Sequence, residues 1–247
     1  MEIRLIGNGG RLRRCLEMLL PGLSSLDGEL ILLPIPTTKD NLYINTTSYS
    51  ISAVADMIDK DSLVVGYDLP EKIKSRAEQV GARVFDASLD EKFQVANAKI
   101  SAEGALGYIL THSTKSLADM KIGIVGYGRI GREMLRLCLF FGSFVRLYTA
   151  RREVAIELGE MGIDARLIGD ENDFTDLDVL VNTTPKRQIE DTAIPEKIPI
   201  IDLASGSIFD QSPRLVKLSS IPEAFYPETA GELYADAILG YISEEKL

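Results

Sequence analysis

Short apolar runs recur along the chain, each followed by a stretch whose apolar positions are spaced three and four apart. The runs read as buried strands and the spaced stretches as helices lying on them, a pattern that predicts parallel α/β structure. In the first part the predicted strands fall at 3–7, 29–34, 62–66 and 83–86, with helices at 10–20, 51–58 and 70–80. A longer helical stretch covers 101–112. A strand at 121–126 then restarts the alternation, followed by helix 130–141, strand 144–149, helix 153–161 and strands 179–182 and 199–203. A helix at 228–242 ends the pattern.

The break near residues 100–120 divides this pattern into two doubly wound parallel-sheet domains, with a cleft expected between them. Residues 1–100 form the first α/β domain, on the substrate side, and 101–120 the connecting helix. Residues 121–226 form a Rossmann dinucleotide-binding domain, and the helix of 227–247 is expected to pack back on the first domain. Clefts crossed by two connections are favoured ligand sites.

Composition narrows the function. With 45% hydrophobic and 26% charged residues the chain is ordinary for a globular protein. The net charge of −10 argues against nucleic acid as a partner, because phosphate-backbone binding needs a basic surface. No apolar run is of membrane length. The first residues read as a strand rather than a secretory signal, so the expected location is cytoplasmic. The two cysteines, Cys15 and Cys138, sit in apolar helical patterns without metal or redox spacing and read as small buried hydrophobes.

The chemistry concentrates after the 121–126 strand. Gly126-Tyr127-Gly128-Arg129-Ile130-Gly131 stands between a buried-strand pattern and a helical one. In that setting the first glycine permits a tight turn and the second lets backbone approach a pyrophosphate. The third lets helix and strand pack closely, and the helix N-terminus offers free N–H groups to the anion. About 20 positions past the first glycine, such folds place a carboxylate that holds the ribose 2′-hydroxyl. Here the second strand ends in Thr149-Ala150-Arg151-Arg152. A carboxylate would repel a 2′-phosphate, whereas guanidinium groups attract it, so NADP is favoured over NAD. The other reading makes Arg151 and Arg152 solvated residues of a helix start, with Glu153 neutralising one of them.

Two later turns face the expected cofactor. Asn182-Thr183-Thr184-Pro185 ends a strand and offers polar groups to ribose or pyrophosphate. Asp202-Leu203-Ala204 ends the next, where a nicotinamide should lie, with Leu203 and Ala204 as lining residues and Asp202 as a structural hydrogen-bonding partner or an acid–base group. On the substrate side, Thr37-Thr38-Lys39 follows an apolar strand and suits a carboxylate. Ser101 and Glu103 open the predicted connecting helix, as N-cap and first-turn acid, and Thr229 lies at the start of the last helix. Both starts are candidate carboxylate sites. The glycine turn at 7–10 reads as a tight strand-to-helix turn, with a second anion site as its minor reading. His112, the single histidine, lies late in a helix and is a poor candidate for acid–base catalysis.

Several segments taken in order resemble the A-type subunit of dipicolinate synthase from spore-forming bacteria. They are Asn97-Ala98-Lys99-Ile100-Ser101-Ala102-Glu103-Gly104-Ala105, the glycine fingerprint, Thr149-Ala150-Arg151-Arg152, Asn182-Thr183-Thr184-Pro185, Ile201-Asp202-Leu203-Ala204-Ser205 and Pro227-Glu228-Thr229-Ala230-Gly231-Glu232. The resemblance implies an NAD(P)-dependent oxidation of dihydrodipicolinate to dipicolinate during sporulation. It also implies a flavoprotein-like second subunit, of B type, for a partner and a small dicarboxylate for a substrate. A homo-oligomer is expected. The chain departs from the family at Ile100, at 205–208 and at 221–226, which bears on the substrate. Two other readings stay open: an NADP oxidoreductase like shikimate dehydrogenase acting on another small carboxylate, and a non-catalytic NADP-sensing module.

Overall fold

A computed structural model describes residues 2–23, 28–169, 173–186, 189–204 and 213–244. The chain divides into two units: Met1–Asn97 with Pro222–Leu247, and Ala98–Ile221.

In the first unit four parallel strands, β1 (Glu2–Leu5), β2 (Glu29–Leu32), β3 (Ser62–Gly66) and β4 (Arg83–Asp86), lie in sequence order. Successive side chains of a strand point to opposite faces, so each central strand feeds two cores. Leu30, Leu32, Leu63 and Val65 pack with Leu12, Cys15, Leu19 and Leu23 of α1 (Gly10–Leu23), and with Tyr234, Ala235, Ile238 and Ile242 of the last helix. On the opposite face Ile31, Leu33 and Val64 meet Ile51 and Val54 of α2 (Ile51–Asp56) and Ile73 and Ala77 of α3 (Glu71–Val80).

The helix α4 begins at Glu91 and runs to His112, ten residues earlier than the sequence pattern suggests. Asp90 caps it, its Oδ1 accepting the Phe93 N–H at 3.1 Å. Ser101 and Glu103 therefore lie inside a helix and do not open one. Their backbone N–H groups are committed to the helix, which corrects the expectation of an anion-binding helix start there.

In the second unit six parallel strands are ordered β10-β9-β8-β5-β6-β7. They are β5 (Lys121–Val125), β6 (Phe144–Thr149), β7 (Asp164–Leu167), β8 (Val179–Asn182), β9 (Ile200–Asp202) and β10 (Leu215–Lys217). Helices α5 (Arg129–Phe140) and α6 (Arg152–Glu160) follow β5 and β6. A short α7 (Ile221–Phe225) and then α8 (Pro227–Glu244) complete the chain. The 3-2-1-4-5-6 order of a dinucleotide-binding sheet is reproduced, with the switch of direction between β5 and β8. The altered segment at 205–208 lies outside the described residues; that at 221–226 is α7 and the residue after it.

β7 joins the sheet by a charged network and not by an apolar run. Arg146 Nε donates to Asp164 Oδ2 at 2.7 Å and its Nη1 to Asp176 Oδ1 at 2.7 Å. Burial opposes ionisation of Asp164, but hydrogen bonds from Arg166 and Arg146 outweigh it and hold the carboxyl below its ordinary range. A carboxyl depressed in the folded state contributes stability above its unfolded pKa of about 4, and that contribution is lost as pH falls through the lower folded value. Arg146→Met should therefore lower the melting temperature at pH 7, with the gap to the parent shrinking as pH falls below the ordinary carboxylate range. Thermal melts of both proteins across that range check this, and a constant gap would show that the arginine acts by packing alone.

Candidate functional site

The glycine turn after β5 takes its shape from three different constraints. Gly126 has φ of +97°, a left-handed value, and its N–H donates to the Tyr148 carbonyl at 2.8 Å. A Cβ at Gly131 would collide with the Gly126 carbonyl oxygen and stand 3.0 Å from Thr183 Oγ1. The hydroxyl of Thr183 in turn donates to the Val125 carbonyl at 2.8 Å. Gly128 is different: a Cβ there would meet no atom of the described residues within 4 Å. The space above Gly128 is open among the described residues, which is what a backbone approached by a pyrophosphate requires.

That space belongs to a cavity of about 490 Å³ lined by Gly126, Tyr127, Gly128, Arg129, Arg132, Thr149, Ala150, Arg151, Thr183, Thr184 and Pro185. It lies beyond the carboxyl ends of β5, β6 and β8, where doubly wound sheets bind ligands. Among the described residues that line it, three are arginines and none is acidic. Arg151 Nη2 donates to the Tyr127 carbonyl at 2.6 Å. The guanidinium carbons of Arg132 and Arg151 stand 5.0 and 5.9 Å from the Tyr127 ring centroid. Cation–π contact of this kind holds the two cations at the cavity mouth. Thr149, 2% exposed, accepts the Arg151 N–H on Oγ1 at 3.2 Å and so shapes the turn.

The expected cofactor residues divide on this geometry. Arg132, one helical turn after Arg129, was not among them; its position on the same face as the glycine turn was the available signal. Arg152 is exposed as the first residue of α6 and does not line the cavity. Ile130 is half-buried and packs against the core beneath the sheet. Leu203 and Ala204 are buried, 8% exposed each, and do not line the cavity either.

Asn182 corrects the expectation of direct contact. It is fully buried, and its Nδ2 donates to the Thr184 carbonyl at 3.0 Å and to Asp202 Oδ1 at 2.7 Å. Asp202 Oδ1 also accepts the Ala204 N–H at 3.1 Å. The pair braces the two turns that follow β8 and β9.

The substrate-side candidates lie in different settings. Thr37 is fully buried, its Oγ1 accepting the Tyr67 N–H at 2.8 Å, so it holds the loop and is not open to a ligand. Thr38 Oγ1 accepts the Asn41 N–H at 3.0 Å, while Lys39 is exposed. Ser101 is 5% exposed in mid-helix, and Thr229 is exposed in the first turn of α8. His112 stacks on Tyr108 with ring centroids 3.9 Å apart and is a helix-end residue. Burial pushes both cysteine thiols up to about 12, in keeping with inert core residues. No cluster of metal-ligating side chains occurs among the described residues, nor is any helix there long and apolar enough to cross a membrane.

Residues 88–198 match the family model described as "D-isomer specific 2-hydroxyacid dehydrogenase, NAD binding domain". No curated protein matches the sequence. Among solved structures the fold is shared with the A-type subunit of dipicolinate synthase from Bacillus halodurans, at 19% identity and a TM-score of 0.79 over 97% of each chain. It is shared too with the corresponding chain of dipicolinate synthase from Bacillus subtilis, at 17% identity and a TM-score of 0.77, over 99% of this chain and 96% of that one. D-lactate dehydrogenase of Escherichia coli is similar at 12% identity and a TM-score of 0.65, over 100% of this chain and 97% of its own. The matched domain supports binding of a nicotinamide dinucleotide by the second unit, and the neighbours share the fold.

Proposed function

We propose that the chain is an NADP-linked dehydrogenase that oxidises a cyclic dicarboxylate of the dihydrodipicolinate type. The observation that carries the cofactor half is the cavity mouth beyond β6, where Arg151 and Arg132 gather on Tyr127 and no carboxylate among the described residues lines the wall. The substrate half rests on the quoted segments and on the fold shared with the two dipicolinate synthase chains.

The residues fit the cofactor. The N–H groups at the start of α5 and the open side of Gly128 would hold its pyrophosphate, with Thr183 and Thr184 also lining the cavity, and Arg151 and Arg132 would neutralise a 2′-phosphate. When bound, the oxidised nicotinamide would supply a hydride acceptor, so that a substrate ring losing a hydride to it and a proton to solvent would gain aromaticity. The protein's share is to position and desolvate rather than to form a covalent bond. A flavoprotein-like second subunit is the partner in this reading.

Nicotinamide fluorescence with NADPH and NADH tests the cofactor first. Arg151→Ala is expected to weaken NADPH at least tenfold, the scale of one lost charge-assisted contact (about 1.5–3 kcal/mol), and to leave NADH within about twofold. If both weaken equally, Arg151 serves only to hold the Tyr127 carbonyl. The reaction is tested by incubation with NADP⁺ and freshly made dihydrodipicolinate, with and without the flavoprotein-like partner. Growth of NADPH absorbance together with dipicolinate supports it, and no turnover in either mixture sinks it.

A further inference from the structure

The glycine turn of the first unit carries an anion of the protein's own. β1 runs through Gly7-Asn8-Gly9-Gly10 into α1, and the carboxylate of Glu223 sits on that helix start. Its Oε2 accepts the Arg11 N–H at 3.1 Å. Its Oε1 lies 2.6 Å from where a Cβ on Gly9 would stand, so a side chain there would press on the carboxylate as it now sits.

Beside it is Arg11, 4% exposed. A guanidinium carries five N–H donors. Among the described residues this one makes a single hydrogen bond, from Nη2 to Asn97 Oδ1 at 3.4 Å. Its buried Nε has no hydrogen-bond partner there and stands 3.9 Å from Glu223 Oε2, a distance for attraction but not for a hydrogen bond. Burial lowers the Arg11 pKa and Glu223 opposes that shift. A buried cation so poorly satisfied is costly unless something else satisfies it. Glu223 holds its place loosely: its side chain is 31% exposed, and it rides on the five-residue α7.

We propose that the start of α1 together with the Arg11 guanidinium is a carboxylate-binding subsite, filled by Glu223 in the free protein and taken over by one carboxylate of the substrate. An incoming carboxylate can use two guanidinium N–H groups side by side, which Glu223 does not. Glu223 swings toward solvent as it yields. The substrate class rests on the reading above.

The test is calorimetric titration of the full chain with pyridine-2,6-dicarboxylate, and separately with benzoate as a monocarboxylate. Glu223→Gln removes the competing charge and is expected to tighten the dicarboxylate at least tenfold. Arg11→Lys, checked for folding by circular dichroism, should weaken it at least tenfold. Benzoate should follow the same order with smaller changes. Dicarboxylate binding to the Glu223→Gln protein that is no tighter than to the parent overturns the subsite, whether or not the chain oxidises dihydrodipicolinate. Tighter binding with no turnover leaves the subsite standing and removes only the proposed reaction.

Discussion

Gly131→Ala is expected to abolish dinucleotide binding and to destabilise the second unit by roughly 2 kcal/mol or more, the scale of overpacking a tight contact. Its Cβ would press on the Gly126 carbonyl and on Thr183 Oγ1 together. Neither can give way cheaply. Gly126 is held by its bond to Tyr148 and by a positive φ, and Thr183 by two bonds to the Val125 carbonyl, from N at 2.9 Å and Oγ1 at 2.8 Å. Relief must come from α5 moving away from β5, which carries the anion-binding N–H groups out of place. Gly128→Ala is the informative control. With no atom of the described residues within 4 Å of its Cβ, it should leave stability nearly unchanged and still cost at least tenfold in cofactor affinity. Denaturant titration and nicotinamide fluorescence separate the two effects. A Gly128→Ala protein that binds cofactor like the parent would mean that no pyrophosphate passes over Gly128.

The same contrast shows what a sequence can reveal and what it cannot. Strands β3 and β8 were legible to the residue because a buried parallel strand is a continuous apolar run with turn residues at its ends. The glycine fingerprint was legible because each glycine answers a local constraint. β7, Asp164–Leu167, was missed because its place in the sheet is secured by Arg146 and its two aspartates rather than by apolar side chains. The start of α4 was missed for another reason. Its buried residues change from Phe93 in the first unit to Ala102, Ala105 and Ile109 in the second, so no single stripe runs its length. Ser101 then looked like a beginning.

At the site, residue type was legible and direction was not. Thr37 and Asn182 carry the polar groups expected of ligand contacts, and both are turned inward to hold loops. Arg132 and Glu223 were overlooked because their importance is set by distant partners, Tyr127 across the turn and Arg11 far back in the chain.

That inward direction makes Asn182 the other position where a small change should have a large effect. Asn182→Ala removes the 2.7 Å donor to Asp202 Oδ1 and the bond to the Thr184 carbonyl at once. Asp202 is fully buried, and its Oδ2 has no partner among the described residues. The substitution leaves its carboxyl group with the Ala204 N–H alone. Stranding a buried acid in this way costs on the order of 3 kcal/mol, well above the net worth of the hydrogen bond itself. Cofactor affinity should fall with it, since Thr183, Thr184 and Pro185 lose the brace that sets their turn. The double variant Asn182→Ala with Asp202→Ala separates the causes. With the acid gone the stranding penalty goes too, so the double variant should be more stable than Asn182→Ala alone, while its cofactor affinity stays low because the turn is still unbraced. Urea unfolding of the three proteins reads the first effect and NADPH titration the second. A double variant less stable than the single one would mean that Asp202 is held by something other than Asn182. In that case the two turns are independent, and the cavity's far wall owes its shape to Thr183 and its bonds to Val125.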